Sequence, residues 1–192
     1  MSCLVPMGRL DESLEQMALA QSLDPVSSII ARDVAVVHCY RGDFDAALDH
    51  CDQTIELNPH FAPAYLTLGL IQERRKDFDE SAAAFSRAVE LAPQSPRTHA
   101  ALARTLALAG KTDQARTALR RLDQQAATRY VSPFEYVAVY FALGDVAKGF
   151  SWLAKACDDR CFELLALRVD PRFDSLRDQP RFIAATERVG LR

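Results

Sequence analysis

The chain has 192 residues, 49% of them apolar and 26% charged, and carries a net charge of −3. That balance leaves no basic field for nucleic acid, and no run of Lys or Arg supplies one locally. No apolar stretch nears the roughly 18 residues that cross a bilayer, and the N-terminus lacks the basic and apolar regions of a secretory leader, so no membrane association and a cytoplasmic setting are expected.

The first segment, 8–27, places Leu10, Leu14 and Met17 at helical spacing and closes on Gln21-Ser22-Leu23-Asp24-Pro25. The same closing phrase returns as Ile55-Glu56-Leu57-Asn58-Pro59 and Val89-Glu90-Leu91-Ala92-Pro93, so that three prolines stand 34 residues apart. A fixed period of this length marks stacked supersecondary units, none of which buries its apolar face alone.

The block 28–61 has Ile29, Ile30, Val34, Val36 and Val37 on a first helical pattern, a break at Gly42-Asp43, then Ala47, Leu48, Cys51, Ile55 and Leu57 on a second. Gly stops the first helix and Asp starts the next, which predicts a helical hairpin. Block 62–95 repeats it with Tyr65, Leu68, Gly69 and Ile71, a turn at Lys76-Asp77, then Phe78, Ala82, Phe85, Ala88 and Leu91. Block 96–129 turns at Gly110-Lys111 and lacks the closing proline, so its second helix is expected to run past Ala126. Block 130–161 turns at Gly144-Asp145. Small residues recur where the two helices of a hairpin cross, at Ala35, Gly69 and Ala103 and at Ala47, Ser81, Ala115 and Gly149, where close backbone approach leaves no room for larger side chains.

Segment 8–27 therefore reads as the second helix of a unit whose first helix is absent. Its open face, Leu10, Leu14 and Met17, is a candidate self-association surface for a homodimer. At the other end, 162–192 contains an echo, Asp170-Pro171-Arg172-Phe173 and Gln179-Pro180-Arg181-Phe182. Pro fits the first helical position and Asp can cap, so short helices carrying Phe173, Leu176, Phe182 and Ile183 are expected to close over the last hairpin.

Tyr65, Leu68-Gly69, Phe85, Ala88 and Pro93 resemble the signature of the tetratricopeptide repeat family, and the other blocks place small or apolar residues in the same slots. The resemblance implies an all-α, right-handed superhelical solenoid of antiparallel helix pairs. It would form a single domain over 1–192, with a half repeat, four hairpins at 28–61, 62–95, 96–129 and 130–161, and short C-terminal capping helices. It also implies non-catalytic protein or peptide binding in a concave groove lined by the first helix of each hairpin. By repeat register that groove takes Arg32, Val36, Tyr40, Leu66, Leu70, Arg74, Arg97, Arg104, Phe134 and Phe141. Its four arginines favour an acidic or C-terminal carboxylate peptide, unless they pair with Asp33, Glu73 or Glu135 along the same surface. The carboxylate clamp that some relatives use on chaperone tails is not expected, because Val36 and Thr67 hold its Asn slots. The tail also resembles the ends of such domains in bacterial winged-helix transcription regulators and Ser/Thr protein kinases, which implies a sensing or regulatory domain as the alternative function.

No feature implies catalysis, a cofactor or a metal. His38, His50, His60 and His99 are dispersed, and Asp49-His50-Cys51-Asp52 lies on a helix, where adjacent residues point apart. The five cysteines, Cys3, Cys39, Cys51, Cys157 and Cys161, have neither disulfide nor zinc spacing, and Cys51 sits in a core slot. Cys157 and Cys161 would meet only if a helix continued across Asp158-Asp159-Arg160.

Overall fold

The structure is a computed structural model that describes residues 4, 5 and 7–190; Cys3 lies outside them. Among the described residues the chain is all-helical, and it divides into two compact units that meet in sequence at Pro93 and Gln94.

The first unit holds α1 (Leu10–Leu23), α2 (Ser28–Arg41), α3 (Phe44–Leu57), α4 (Ala62–Arg75) and α5 (Phe78–Leu91). Helices α2 and α3 pair, as do α4 and α5, while α1 packs on α2 and α3 on α4; α2 also lies beside α4. The period has a backbone cause. Asp24, Asn58 and Ala92 each precede a proline and each leave helical geometry, at φ −141, −147 and −136, because the proline ring disfavours the α region for the residue before it. A second punctuation runs through both units at the same spacing: Gly42, Lys76, Gly110 and Gly144 all have positive φ in the tight turns inside the hairpins.

At the α4–α5 crossing the backbones approach closely. Gly69 and Ser81 are both buried, and the Ser81 hydroxyl donates to the Gly69 carbonyl at 2.7 Å. At the α2–α3 crossing Ala35, Ala47, Cys39, Cys51 and Ile71 form a core bordered by Phe44, Leu48, Ile55, Leu68 and Leu70.

The second unit holds α6 (Pro96–Leu108), α7 (Thr112–Ala126), α8 (Phe134–Ala142), α9 (Val146–Asp158), two short 3-10 helices at Phe162–Ala166 and Pro171–Leu176, and α10 (Pro180–Arg188). Pairs form between α6 and α7 and between α8 and α9; α6 lies beside α8, and α10 packs on α9. Helix α7 stops at Ala126, against the expected continuation, and Thr128 and Arg129 N–H groups turn back to the Gln125 carbonyl. Arg129 then donates to the Gln94 carbonyl, which ties the outgoing strand of chain to the start of the unit.

The C-terminal segment completes the core of this unit. Phe173, Leu176 and Phe182 are buried with Phe134, Val137, Phe150, Leu153, Leu164 and Leu167, whereas Ile183 stays exposed. Asp170 caps the second 3-10 helix, its carboxylate accepting from the Arg172 N–H at 3.0 Å, as the Asp-Pro pattern predicts. Gln179 makes no such side-chain cap at α10.

Candidate functional site

In the first unit the residues expected to line the groove stand on neighbouring helices α2 and α4. Val36 and Tyr40 stand four apart on α2, and Leu66 and Leu70 four apart on α4, so each pair shares a helix face. All four are half-buried. The arginines of this surface are engaged. Arg32 pairs with Asp33 at 2.9 Å, and burial pushes the Asp33 carboxyl up. Arg74 donates to the Cys39 carbonyl and lies over the Phe44 ring, 5.3 Å from its centroid, so it ties α4 to the end of α2 and the start of α3.

In the second unit the expected groove residues divide. Arg97, in the first turn of α6, is exposed, but Arg104 is only 5% exposed and Phe134 only 3%. Phe141 is half-buried, edge-on to Phe150 and Phe173 with centroids at 5.1 and 6.3 Å. The C-terminal segment covers them: Phe173 packs against Phe134 at 5.9 Å, and the Arg172 guanidinium lies over both rings at 5.6 and 5.5 Å. Phe134 is thus a core side chain of this unit and offers a ligand no surface.

A charged cluster borders that closure. Asp170, 2% exposed, grips Arg172 with both carboxylate oxygens, at 2.9 and 2.8 Å from Nε. Burial alone would push the Asp170 carboxyl up, but the Arg172 charge and hydrogen bonds, with Arg104 behind them, hold it below its ordinary value. Ser132 donates to Glu163 at 3.4 Å. Glu135, in the first turn of α8, faces Arg97, Arg172 and Arg104 and also Glu163; burial outweighs the cations and raises its carboxyl. Sequence reasoning singled out Glu135 only as a partner for arginine. The rest of the cluster is foreshadowed only by the Asp-Pro-Arg-Phe echo.

The dispersed histidines include one close pair: His38 and His50 stack with centroids 5.5 Å apart and planes 14° from parallel. Burial first, then the neighbouring His38, lowers the basicity of His50. Among the described residues no group of three His, Cys, Asp or Glu side chains is arranged to hold a metal. Cys51 is a core residue, as its slot suggests. Its thiol donates to the Ala64 carbonyl at 3.3 Å, and burial pushes it up to about 12. The α9 helix ends at Asp158, and both Cys157 and Cys161 are buried free thiols.

On α1, Leu10, Leu14 and Met17 are half-buried. The apolar side chains of α1 that stand most clear are Leu19 and Leu23, the latter 80% exposed, and just beyond the helix Val26 and Ile29 are exposed as well. No helix among the described residues is long and apolar enough to cross a membrane.

Two models of the tetratricopeptide repeat match the chain, over residues 33–96 and 70–132, and together cover just over half of it. The Photosystem I assembly protein Ycf3 of Synechococcus elongatus is 31% identical over 105 residues, covering 46% of this chain and 61% of that protein; its counterpart from a second Synechococcus strain matches equally. The chain therefore spans about three-fifths of the length of these curated relatives. Among solved structures, TTC0263, a thermophilic repeat protein of Thermus thermophilus, superposes with a TM-score of 0.66 at 18% identity, covering 87% of this chain and 92% of that one. YrrB, described as having an unusual peptide-binding site, gives 0.54 at 14% identity over 92% and 91%. MamA of MSR-1 gives 0.53 at 20% identity over 65% and 71%. At these identities the likeness shows the fold alone. With its repeated helix pairs, its 34-residue punctuation and these matches, the chain belongs to the tetratricopeptide repeat family.

Proposed function

We propose that this protein is a non-catalytic scaffold that binds a protein or an extended peptide along the inner helices of its hairpins. The observation that carries the reading is the side-by-side placement of α2 and α4, with Val36, Tyr40, Leu66 and Leu70 half-buried on them. Tyr40 is of a residue type enriched at binding hot spots, and the aliphatic side chains beside it supply the apolar lining usual in a binding site. Arg32 and Arg74 border that surface, and Arg97 and Arg104 stand on the corresponding helix of the second unit. The family's general role in protein binding and the assembly role named for Ycf3 support a part in assembling other proteins.

The test is selection of displayed random peptides on the full chain, followed by affinity measurement against Tyr40→Ala and Leu66→Asp. The selected peptides should bind each variant about tenfold more weakly. Peptides that bind both variants as tightly as the wild type would place recognition elsewhere.

A further inference from the structure

The two units carry opposite charge. Residues 1–93 hold 7 Lys and Arg against 15 Asp and Glu, a net −8, while residues 94–192 hold 16 against 11, a net +5. In the first unit the excess gathers on α3, where Asp45, Asp49, Asp52 and Glu56 follow at intervals of four, three and four and so share one helix face. All four are exposed, and α3 has no Lys or Arg. Asp45 has Arg75 at 4.0 Å, whereas among the described residues Asp49, Asp52 and Glu56 have no ion pair. Like charges one turn apart repel, so this face is unfavourable until cations approach it. In the second unit α7 is likewise the second helix of its hairpin, and the charge there is inverted: Arg120 stands 68 residues, two repeat periods, after Asp52. Arg116 and Arg120 lie four apart and exposed, with Arg121 beside them, and among the described residues none of the three has an ion pair; Arg120 donates to the Thr117 hydroxyl at 2.7 Å. They outnumber the two acidic residues of α7, Asp113 and Asp123. One exposed anionic face and one exposed cationic face thus lack counter-charge on the same chain.

We propose that the protein associates with a second copy of itself, the acidic face of α3 on one copy docking against the arginines of α7 on the other. The argument is charge complementarity. Guanidinium groups pair with carboxylates in two-pronged geometry, and opposite fields on the two units steer the copies into that orientation and against acid-on-acid or base-on-base encounters. The net charge of −3 is too small to hold whole copies apart. The two faces differ, so the contact is heterologous. This goes beyond the scaffold reading and does not depend on it: Val36, Tyr40, Leu66 and Leu70 stand on first helices of the hairpins, and the docking faces stand on second helices.

The experiment is sedimentation velocity on the full chain, across protein concentration and at low and high salt. Association with a Kd of about 10 μM in about 20 mM NaCl, weakened about tenfold in about 200 mM, is expected. The double variants Asp49→Arg, Asp52→Arg and Arg116→Glu, Arg120→Glu should each associate at least about tenfold more weakly than the wild type, while an equimolar mixture of the two should associate again, because the reversed face of each then meets the native face of the other. The substituted side chains are exposed, circular dichroism establishes that each variant is folded, and the milder Asp49→Asn, Asp52→Asn variant should weaken association in the same direction. A wild type that stays monomeric at low salt would overturn the contact, as would association indifferent to salt or a mixture that fails to restore it. Association that both double variants leave unchanged would place the interface elsewhere, as on the exposed Leu19 and Leu23, and would overturn it too.

Discussion

The ring of Phe85 on α5 occupies the space above Gly69 on α4 that any other residue would need for its side chain: a β-carbon at position 69 would stand 2.6 Å from Phe85 Cε1. Gly149 on α9 has the same relation to Phe141 on α8, at 2.7 Å. In both hairpins an aromatic ring fills the crossing because the opposite helix offers backbone alone.

Gly69→Ala is therefore expected to lower stability by about 1–3 kcal/mol, the cost of overpacking a well-filled site. Urea unfolding checks it, as a lower midpoint at unchanged slope. The double variant Gly69→Ala, Phe85→Leu should recover part of the loss, and a double variant no better than Gly69→Ala would show that the ring is not the obstacle.

Lys76 stands where Gly42, Gly110 and Gly144 stand in the other hairpins, with φ at 69°. A side chain in this left-handed conformation is strained, and glycine relieves it. Lys76→Gly should raise stability by about 1 kcal/mol. No gain in thermal midpoint would mean that the Lys76 side chain contributes contacts that outweigh the strain.

Asp170→Asn should destabilise the second unit by about 3 kcal/mol at neutral pH, because Arg172 then sits over Phe134 and Phe173 without its counter-charge. The carboxyl is held below its ordinary value, so the stabilisation is present above that value and lost as pH falls through the lowered one. The difference between wild type and variant should narrow in acid. A difference constant from neutral pH well into acid would assign the loss to packing.

Glu135→Gln should have the opposite sign. Its carboxyl is raised, so the folded state keeps a proton that the unfolded state releases, and wild-type stability falls as pH rises from about 4 through the raised value. The variant lacks this penalty and should melt higher at neutral pH, with the advantage vanishing in acid. A variant that melts lower at neutral pH would show that the three guanidinium groups satisfy Glu135 after all. Trp152, stacked on Tyr136 with centroids 4.2 Å apart, reports the second unit by fluorescence in both experiments.

The repeat was legible in the sequence because its causes are local. A proline stops α1, α3 and α5 through its own ring, a glycine turns the chain through its own φ, and small residues mark crossings because backbone approach depends on side-chain size alone. These constraints determined the helix pairs, the family and the core positions of Cys51, Phe85 and Gly69. Which groove arginines stay available was decided by tertiary structure. Arg74 finds the Cys39 carbonyl and Arg172 finds Asp170 and two rings, and the Phe173 segment buries Phe134. Each of these is a contact between parts of the chain whose proximity exists only once the helices have packed. The charge on Glu135 depends on the same packing, since a carboxylate near three guanidinium groups is content in water and strained only when the surrounding helices exclude it.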